Sequence, residues 1–304
     1  MKRFNLVSFV VFLFWAVPVQ SHTGNSVTDA GGRSIQVDRP FTRIISLYGA
    51  HTRNLAALGL DDEIIGICPM DEWAGKSIFS YHDGLEKFLA ARPDLVLIRP
   101  MIDRAYAALV KGLERSGIVV VSLQPGSVEQ MFDYWLVLGT LTGKDDPARQ
   151  MVSAFKQEIS GITAVTRMIR DKKQVYFEAI HSRMKTFTPG SMAVFALETA
   201  GGINIARDAS SVRGTNIAFY GKERILSHAH EIDVFLAQKG AMNQPTIKMI
   251  KDEPGFDVIR AVKADQIFIV DEKIVSRPTM DLLKGIHAIA DILYPGVFEK
   301  GGRQ

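Results

Sequence analysis

Apolar residues in this chain come in short continuous runs, each closed by a loop and followed by a helical stripe. The first unit spans Arg43 to Gly66 (RIISLYGAHTRNLAALGLDDEIIG). Ile44, Ile45 and Leu47 read as a buried strand, and Tyr48-Gly49-Ala50-His51 as the loop that ends it. Thr52 is the expected N-cap of a helix whose stripe is Leu55, Ala56 and Leu58, stopped by Gly59. Ile64-Ile65-Gly66 opens the next strand. Upstream, Ser26 to Pro40 reads as a β-hairpin turning at Gly31-Gly32. Downstream, strands are expected at Asp94–Ile98 and Ile118–Leu123, and helices at Leu85–Ala91, Asp103–Ser116 and from Ser127 to about Gly143. Pro69 to Asp83 has no pattern. A βαβα series of this kind predicts a parallel sheet covered on both faces.

A long stripe follows, from Pro147 to about Arg170, with Met151, Phe155, Ile159, Ile162 and Val165 on or near one face. A second α/β series then begins. It has strands at Val175–Ile180, Ile232–Ala237 and Gln266–Val270. Helices are expected at Met192–Thr199, Lys222–His230, Ile247–Glu253 and Thr279–Leu293, with loops at 181–190, 239–245 and 276–278. The expected architecture is α/β: two Rossmann-like lobes, residues 22–145 and 172–304, joined by one long rigid helix, 146–171. The ligand cleft lies between the lobes, where the carboxyl ends of the strands face each other.

With 304 residues, 47% of them hydrophobic, the chain can bury two cores of ordinary size. Residues 1–21 stand apart. Lys2 and Arg3 precede a 12-residue apolar core, Leu6 to Val17, then Pro18 and a cleavage site after about Ser21. This reads as a cleaved signal peptide, too short to span a bilayer, which takes roughly 20 apolar residues. Its removal lowers the net charge from +3 to +1. The mature chain is therefore expected in the periplasm. No basic run points to nucleic acid. The single cysteine, Cys68, excludes an internal disulfide and is not at the cleavage site, so a lipid anchor is not expected. There is no G-x-S-x-G elbow, P-loop, dinucleotide-binding glycine motif or H-E-x-x-H, and no enzyme is expected.

Four segments, in order, resemble one family. DAGGRSIQVDRPFTRIISLYGAHTRNLAALGLDDEIIGI resembles the opening of periplasmic binding proteins for iron-siderophores, cobalamin and haem, the substrate-binding components of ABC importers. LEKFLAARPDLVLI resembles their first-lobe helix and strand. FTPGSMAVFALETAGGINIA and YGKERILSHAHEIDVFLA resemble successive parts of the second lobe. The resemblance implies a permease and its ATPase at the inner membrane as partners. It also implies permease docking through one glutamate per lobe, Glu86 in GLEKF and Glu223 in GKERI. Many relatives carry Thr-Glu where this chain has Thr52-Arg53, which changes the charge at the cleft mouth.

The strand-end loops supply the candidate ligand-binding residues. In the first lobe these are Tyr48, His51, Trp73, Arg99, Met101 and Arg104, with Asp71 nearby. In the second they are His181, Arg183, Lys185, Phe187, Arg213 and Tyr220, together with Met242 and Arg277; Met184 and Asn243 adjoin them. Aromatic rings and methionines suit a large or flat chelate, and arginines suit anionic oxygens through forked hydrogen bonds. His51, His82, His181, Tyr48 and Tyr81 are the side chains that would ligate a haem or corrin metal directly. His228 and His230, two residues apart on a helix, do not share a face. No resident metal site and no covalent cofactor are expected. The expected cargo is a metal chelate: a ferric siderophore first, cobalamin or haem next. The alternatives are a zinc or manganese binding protein and, further off, a hydrolase on a two-lobed scaffold. The working form is expected to be a monomer.

Overall fold

The structure, a computed structural model, describes residues 25–71, 73–211 and 215–298. The expected signal peptide and Arg213 lie outside the described residues. Strands β1 (Asn25–Thr28) and β2 (Ser34–Val37) form the antiparallel hairpin. The first lobe continues with β3 (Ile44–Ser46), α1 (Gly49–Ala57), β4 (Ile64–Ile67), β5 (Ser77–Ile78), α2 (Leu85–Ala91) and β6 (Leu95–Ile98). It closes with α3 (Pro100–Ala105), α4 (Ala107–Arg115), β7 (Val119–Ser122) and α5 (Val128–Thr142). Helix α6 (Asp145–Thr166) leads to the second lobe: β8 (Gln174–Ile180), β9 (Lys185–Phe187), α7 (Met192–Thr199), β10 (Ile203–Asn204), β11 (Ile217–Phe219) and α8 (Lys222–Ser227). Then come β12 (Val234–Lys239), α9 (Ile247–Asp252), α10 (Arg260–Lys263), β13 (Ile267–Asp271), α11 (Glu272–Val275) and α12 (Leu282–Leu293).

The first sheet is parallel throughout, in the order β5-β4-β3-β6-β7. Its central strands β3, β4 and β6 are almost continuously apolar and buried, because both faces are covered. Ile44, Leu95, Leu97 and Val121 point into a core with Leu55 of α1 and Trp135 of α5. Ile45, Val96, Ile98 and Val120 point the other way, toward Phe88, Ile102, Val110 and Leu113 of α2–α4. The strand order reverses at β3, so its C-terminal end, beside that of β6, is the switch point where such sheets bind ligands.

The second sheet runs β11-β9-β8-β12-β13, with β10 paired to β8. Strands β8, β12 and β13 are parallel, and β9 and β11 antiparallel. One face, with Tyr176 and Phe235, packs on Phe256 and Ile259. The other, with Val175, Phe177 and Leu236, joins α7 and α12. That second cluster is continuous with the first-lobe core under α1 and α5, and α6 lies within it through Ala148, Met151, Phe155 and Ile162. These positions repeat at helical spacing, and Asp145 and Asp146 favour the start of α6 through the helix dipole. Gly139 lets α6 approach closely, since a Cβ there would stand 2.7 Å from that of Ala148.

Three local expectations change. Thr52 is not the N-cap: α1 begins at Gly49 with Tyr48 as its extended cap, and Thr52 lies inside the helix. The helix expected over 103–116 is two, broken at Tyr106, because Pro100 starts a turn earlier and the chain kinks after Ala105. The expected loop 181–190 contains a 3-10 turn, His181–Arg183, and β9, which folds back on β8. Met184, at φ 47, makes that reversal.

Candidate functional site

The switch point of the first sheet places Tyr48, after β3, beside Arg99, after β6. The Arg99 guanidinium lies 4.5 Å from the Tyr48 ring centroid, a cation–π contact. Among the described residues Arg99 has no carboxylate partner, and its buried Nε has no acceptor. Arg277 approaches from the second lobe. A Cβ on Gly49 would sit 2.4 Å from Arg277 Nη1 and 2.4 Å from Asp71 Oδ1, so this glycine makes room for both groups over the start of α1. Asp71 sits at the positive end of that helix, accepting from Thr52 Oγ1 at 2.6 Å. Burial pushes the Tyr48 phenol up, against the pull of Arg99 and Arg277, so it stays a neutral donor. Burial and the neighbouring Asp71 carboxylate push the Cys68 thiol up to about 11, which keeps it from serving as a thiolate ligand.

Beside this cluster a cavity of about 460 Å³ opens between the lobes. Thr52, Arg53, Asp71 and Trp73 line one wall, and Lys273, Ile274, Arg277 and Asp281 the other. Three contacts hold the walls together. Pro278 O accepts from Asn54 Nδ2 at 2.9 Å and from Trp135 Nε1 at 3.1 Å, and Arg53 pairs with Asp281 at 2.8 Å. Arg53 therefore directs its charge across the cleft.

Of the sequence candidates, Tyr48, Trp73, Arg99 and Arg277 come together here. Four others turn inward. His51 is fully buried, with Tyr134 Oη 2.7 Å from Nδ1 and Ile98 O 3.1 Å from Nε2. A carbonyl only accepts, so Nε2 carries the proton and Nδ1 accepts from the tyrosine. Burial lowers its pKa to about 3, and no nitrogen is left to ligate a metal. Phe187 packs in the core against Phe177. Tyr220 is buried, with its hydroxyl 3.2 Å from Asp208 Oδ1 and Arg224 over its ring. His181 is buried between two carboxylates. Each was read as a ligand residue from its place at or near a strand end, and each is turned inward by partners far along the chain or across the sheet.

Among the described residues, no contact joins Met101, Arg104, Arg183, Lys185 or Met242 to the cluster, although all five are at least partly exposed. His82 stacks with Tyr81 and Tyr106 on the first lobe, apart from the cluster. Beyond Arg277, the second-lobe wall includes Lys273, Ile274 and Asp281, which the sequence did not single out; they flank the 276–278 loop, on the short helix after β13 and just before α12. Also among the described residues, no group of three or more His, Cys, Asp or Glu side chains is placed to hold a metal ion, so the zinc or manganese alternative lacks a ligand set.

Glu86 and Glu223 are both exposed and equivalently placed, each the second residue of a helix whose N-cap is a glycine. Each carboxylate folds back over that glycine: a Cβ would stand 2.7 Å from Glu86 Oε2 at Gly84, and 3.5 Å from Glu223 Oε2 at Gly221.

Residues 44–274 match the Periplasmic binding protein family. The chain is 22% identical over 284 residues to the uncharacterised ABC transporter substrate-binding lipoprotein YvrC of Bacillus subtilis (strain 168), covering 90% of this chain and 87% of that one. A solved structure of a possible iron-binding (periplasmic solute-binding) protein from Staphylococcus epidermidis ATCC 12228 superposes with a TM-score of 0.73. It is 26% identical and covers 84% of this chain and all of that one. The molybdate periplasmic binding protein MolA of Haemophilus influenzae shares the fold, with a TM-score of 0.72 at 17% identity over 91% of this chain and 94% of its own. Such proteins bind solutes outside the cytoplasm for an ABC permease and its ATPase and are not enzymes. Two α/β sheets, the helix between them and the matched span agree: this chain belongs to the periplasmic binding protein family and is the substrate-binding component of an ABC transporter.

Proposed function

We propose that the cleft captures an anionic metal chelate, a ferric siderophore ahead of cobalamin or haem, and that Glu86 and Glu223 dock the loaded protein on its permease. The observation that carries this is the convergence of Arg99 and Arg277, from opposite lobes, on Tyr48, with no carboxylate at Arg99. A chelate with carboxylate, catecholate or hydroxamate oxygens supplies the acceptor that Arg99 lacks and a closer partner for Arg277, whose Nε stands 3.9 Å from Glu272 Oε1, and Trp73 supplies a flat apolar wall. The equivalent placement of Glu86 and Glu223 suits a partner with two similar sites, where charge mainly sets orientation and on-rate. In this reading the mature protein is a periplasmic monomer, released by cleavage after about Ser21.

The test is a thermal-shift screen of the purified mature chain against ferric hydroxamates and catecholates, a corrinoid, haem, molybdate, Zn²⁺ and Mn²⁺. A ligand at 100 times its Kd adds about 2.7 kcal/mol of stability. A ferric siderophore is expected to raise Tm, and Arg99→Ala and Arg277→Ala to remove the rise. A shift with Zn²⁺ or Mn²⁺ and none with any chelate refutes the proposal.

A further inference from the structure

His181 follows β8 at the cleft end of the second sheet, but its contacts run away from the cleft. Nδ1 lies 2.9 Å from Glu178 Oε2, and Nε2 lies 3.7 Å from Glu253 Oε2. One hydrogen-bonded carboxylate and a second at ion-pair distance, beyond a hydrogen bond, favour the charged imidazolium. Glu178 is fully buried and its Oε1 has no hydrogen-bond partner, so His181 is its counter-charge. The hydrogen bond to Glu178 raises the His181 pKa above its ordinary value, with burial opposing. Burial pushes the Glu178 carboxyl up, and the His181 contact pulls it down. The edge of Phe256 closes another side.

The other Glu253 oxygen meets Lys222 Nζ, and Lys222 is the first residue of α8, next to Glu223. A second tie runs through the backbone. Tyr220 N and Gly221 N both donate to Met184 O at 3.1 Å, and Met184 is held in the left-handed region directly after the His181 turn. On the cleft side, His181 N donates to Asn243 Oδ1 at 3.1 Å and Asn243 Nδ2 to Gln238 O at 2.8 Å. Gln238 Oε1 meets the hydroxyl of Ser276, the neighbour of Arg277. A continuous polar chain thus joins the Arg277 loop to the first turn of α8.

We infer that His181 is a positioning residue for the helix that presents Glu223: its two carboxylate contacts fasten Glu253, and through it Lys222 and α8, to the floor of the cleft, and α8 loosens when the imidazole loses its proton. The charged groups facing the ring are Glu178 of β8, Glu253 after α9 and, through Glu253, Lys222 of α8. With the folded pKa raised, the clamp is complete below the ordinary value of 6.5 and is lost as pH rises through the folded value. The functional sense of this clamp rests on the docking role proposed for Glu223.

Amide hydrogen exchange on the purified mature chain, with the intrinsic pH dependence divided out, tests it without ligand or permease. In the wild type, protection over 220–227 is expected to fall as pH rises through the His181 titration, while that of β8 and β12 holds. Glu253→Gln keeps the Glu178–His181 pair but removes the negative charge between His181 and Lys222, leaving Lys222 Nζ its bond to Pro254 O at 3.1 Å, so protection of α8 is expected to be lowered and no longer to follow the His181 titration. The double variant Glu178→Gln/His181→Gln removes both buried charges, which spares the fold, and is expected to abolish the pH dependence. Flat wild-type protection of α8 across the titration, or protection unchanged in Glu253→Gln, overturns the inference. Glu223→Gln separates the two ideas. It leaves the exchange pattern intact, and undiminished uptake of the chelate by cells carrying it would sink the docking role alone.

Discussion

At Pro278 O both walls of the cleft meet by hydrogen bonding to a buried carbonyl. Its two donors, Asn54 Nδ2 and Trp135 Nε1, sit on α1 and α5, and both residues are fully buried. Asn54→Ala removes one bond but leaves the carbonyl paired, a loss of about 1 kcal/mol. Trp135→Phe removes the other bond and the outer ring that packs near Phe132 and Phe155, a loss of roughly 2–3 kcal/mol. The double variant differs in kind, because the carbonyl is then orphaned in dry surroundings. That adds about 1–3 kcal/mol beyond the sum of the single changes. Urea unfolding followed by far-UV circular dichroism of the four proteins gives the coupling directly. Additivity within about 0.5 kcal/mol would mean that Pro278 O finds another partner and that the two donors do not share one staple. Because Pro278 adjoins Arg277, the double variant should also weaken chelate binding more than either single change.

Two further outcomes follow from single sites. Gly49→Ala should keep the fold, since alanine is at home in a helix, but its Cβ displaces Arg277 Nη1 and Asp71 Oδ1; calorimetric titration with the bound chelate should show at least a tenfold loss of affinity, and unchanged affinity would remove Arg277 from the site. Burial opposes ionisation of Asp29, yet hydrogen bonds from Ser122 N and from Arg33 outweigh it and hold the carboxyl below its ordinary value. The stability it contributes is present above about pH 4 and lost as pH falls through the folded value. Urea midpoints from about pH 3 to 6 should therefore fall less steeply toward acid in Asp29→Asn than in the wild type.

The strands and long helices were legible because each is a local pattern: an apolar run such as Leu95–Ile98, or the stripe from Ala148 to Ile162. Side-chain direction at strand ends was not. Tyr48 and His51 are three residues apart in one loop-helix junction, and nothing local distinguishes them. The difference is Tyr134, 83 residues beyond His51, whose hydroxyl takes its Nδ1. Thr52 misled for a related reason: a hydroxyl before an apolar stripe reads as a cap, but Asp71 and Ser46 claim it from outside the helix. The short strands β9, β10 and β11 escaped because two or three residues carry no period; they exist through pairing with β8 and with each other.

The shared core bears on how such a protein can signal that it is loaded. One hydrophobic cluster runs from the first sheet through α5 and α6 to the second, so opening the lobes widely would expose side chains such as Phe155 and Leu197 to water. Burying a side chain of this size is worth roughly 1.5–3 kcal/mol, and a few of them exceed what one ligand returns. Large rotation is therefore costly, and the separation between α2 and α8 changes little. If α2 and α8 dock the permease as proposed, recognition of the loaded state would come from adjustments within the lobes, at loops between the cleft and those helices. In the second lobe the chain of contacts from Ser276 through Asn243 and His181 to Lys222 would serve as such a route. In the first, the counterpart is shorter: Arg99 caps α3, whose C-cap residue Tyr106 stacks on Tyr81 and His82 just before Gly84 and Glu86.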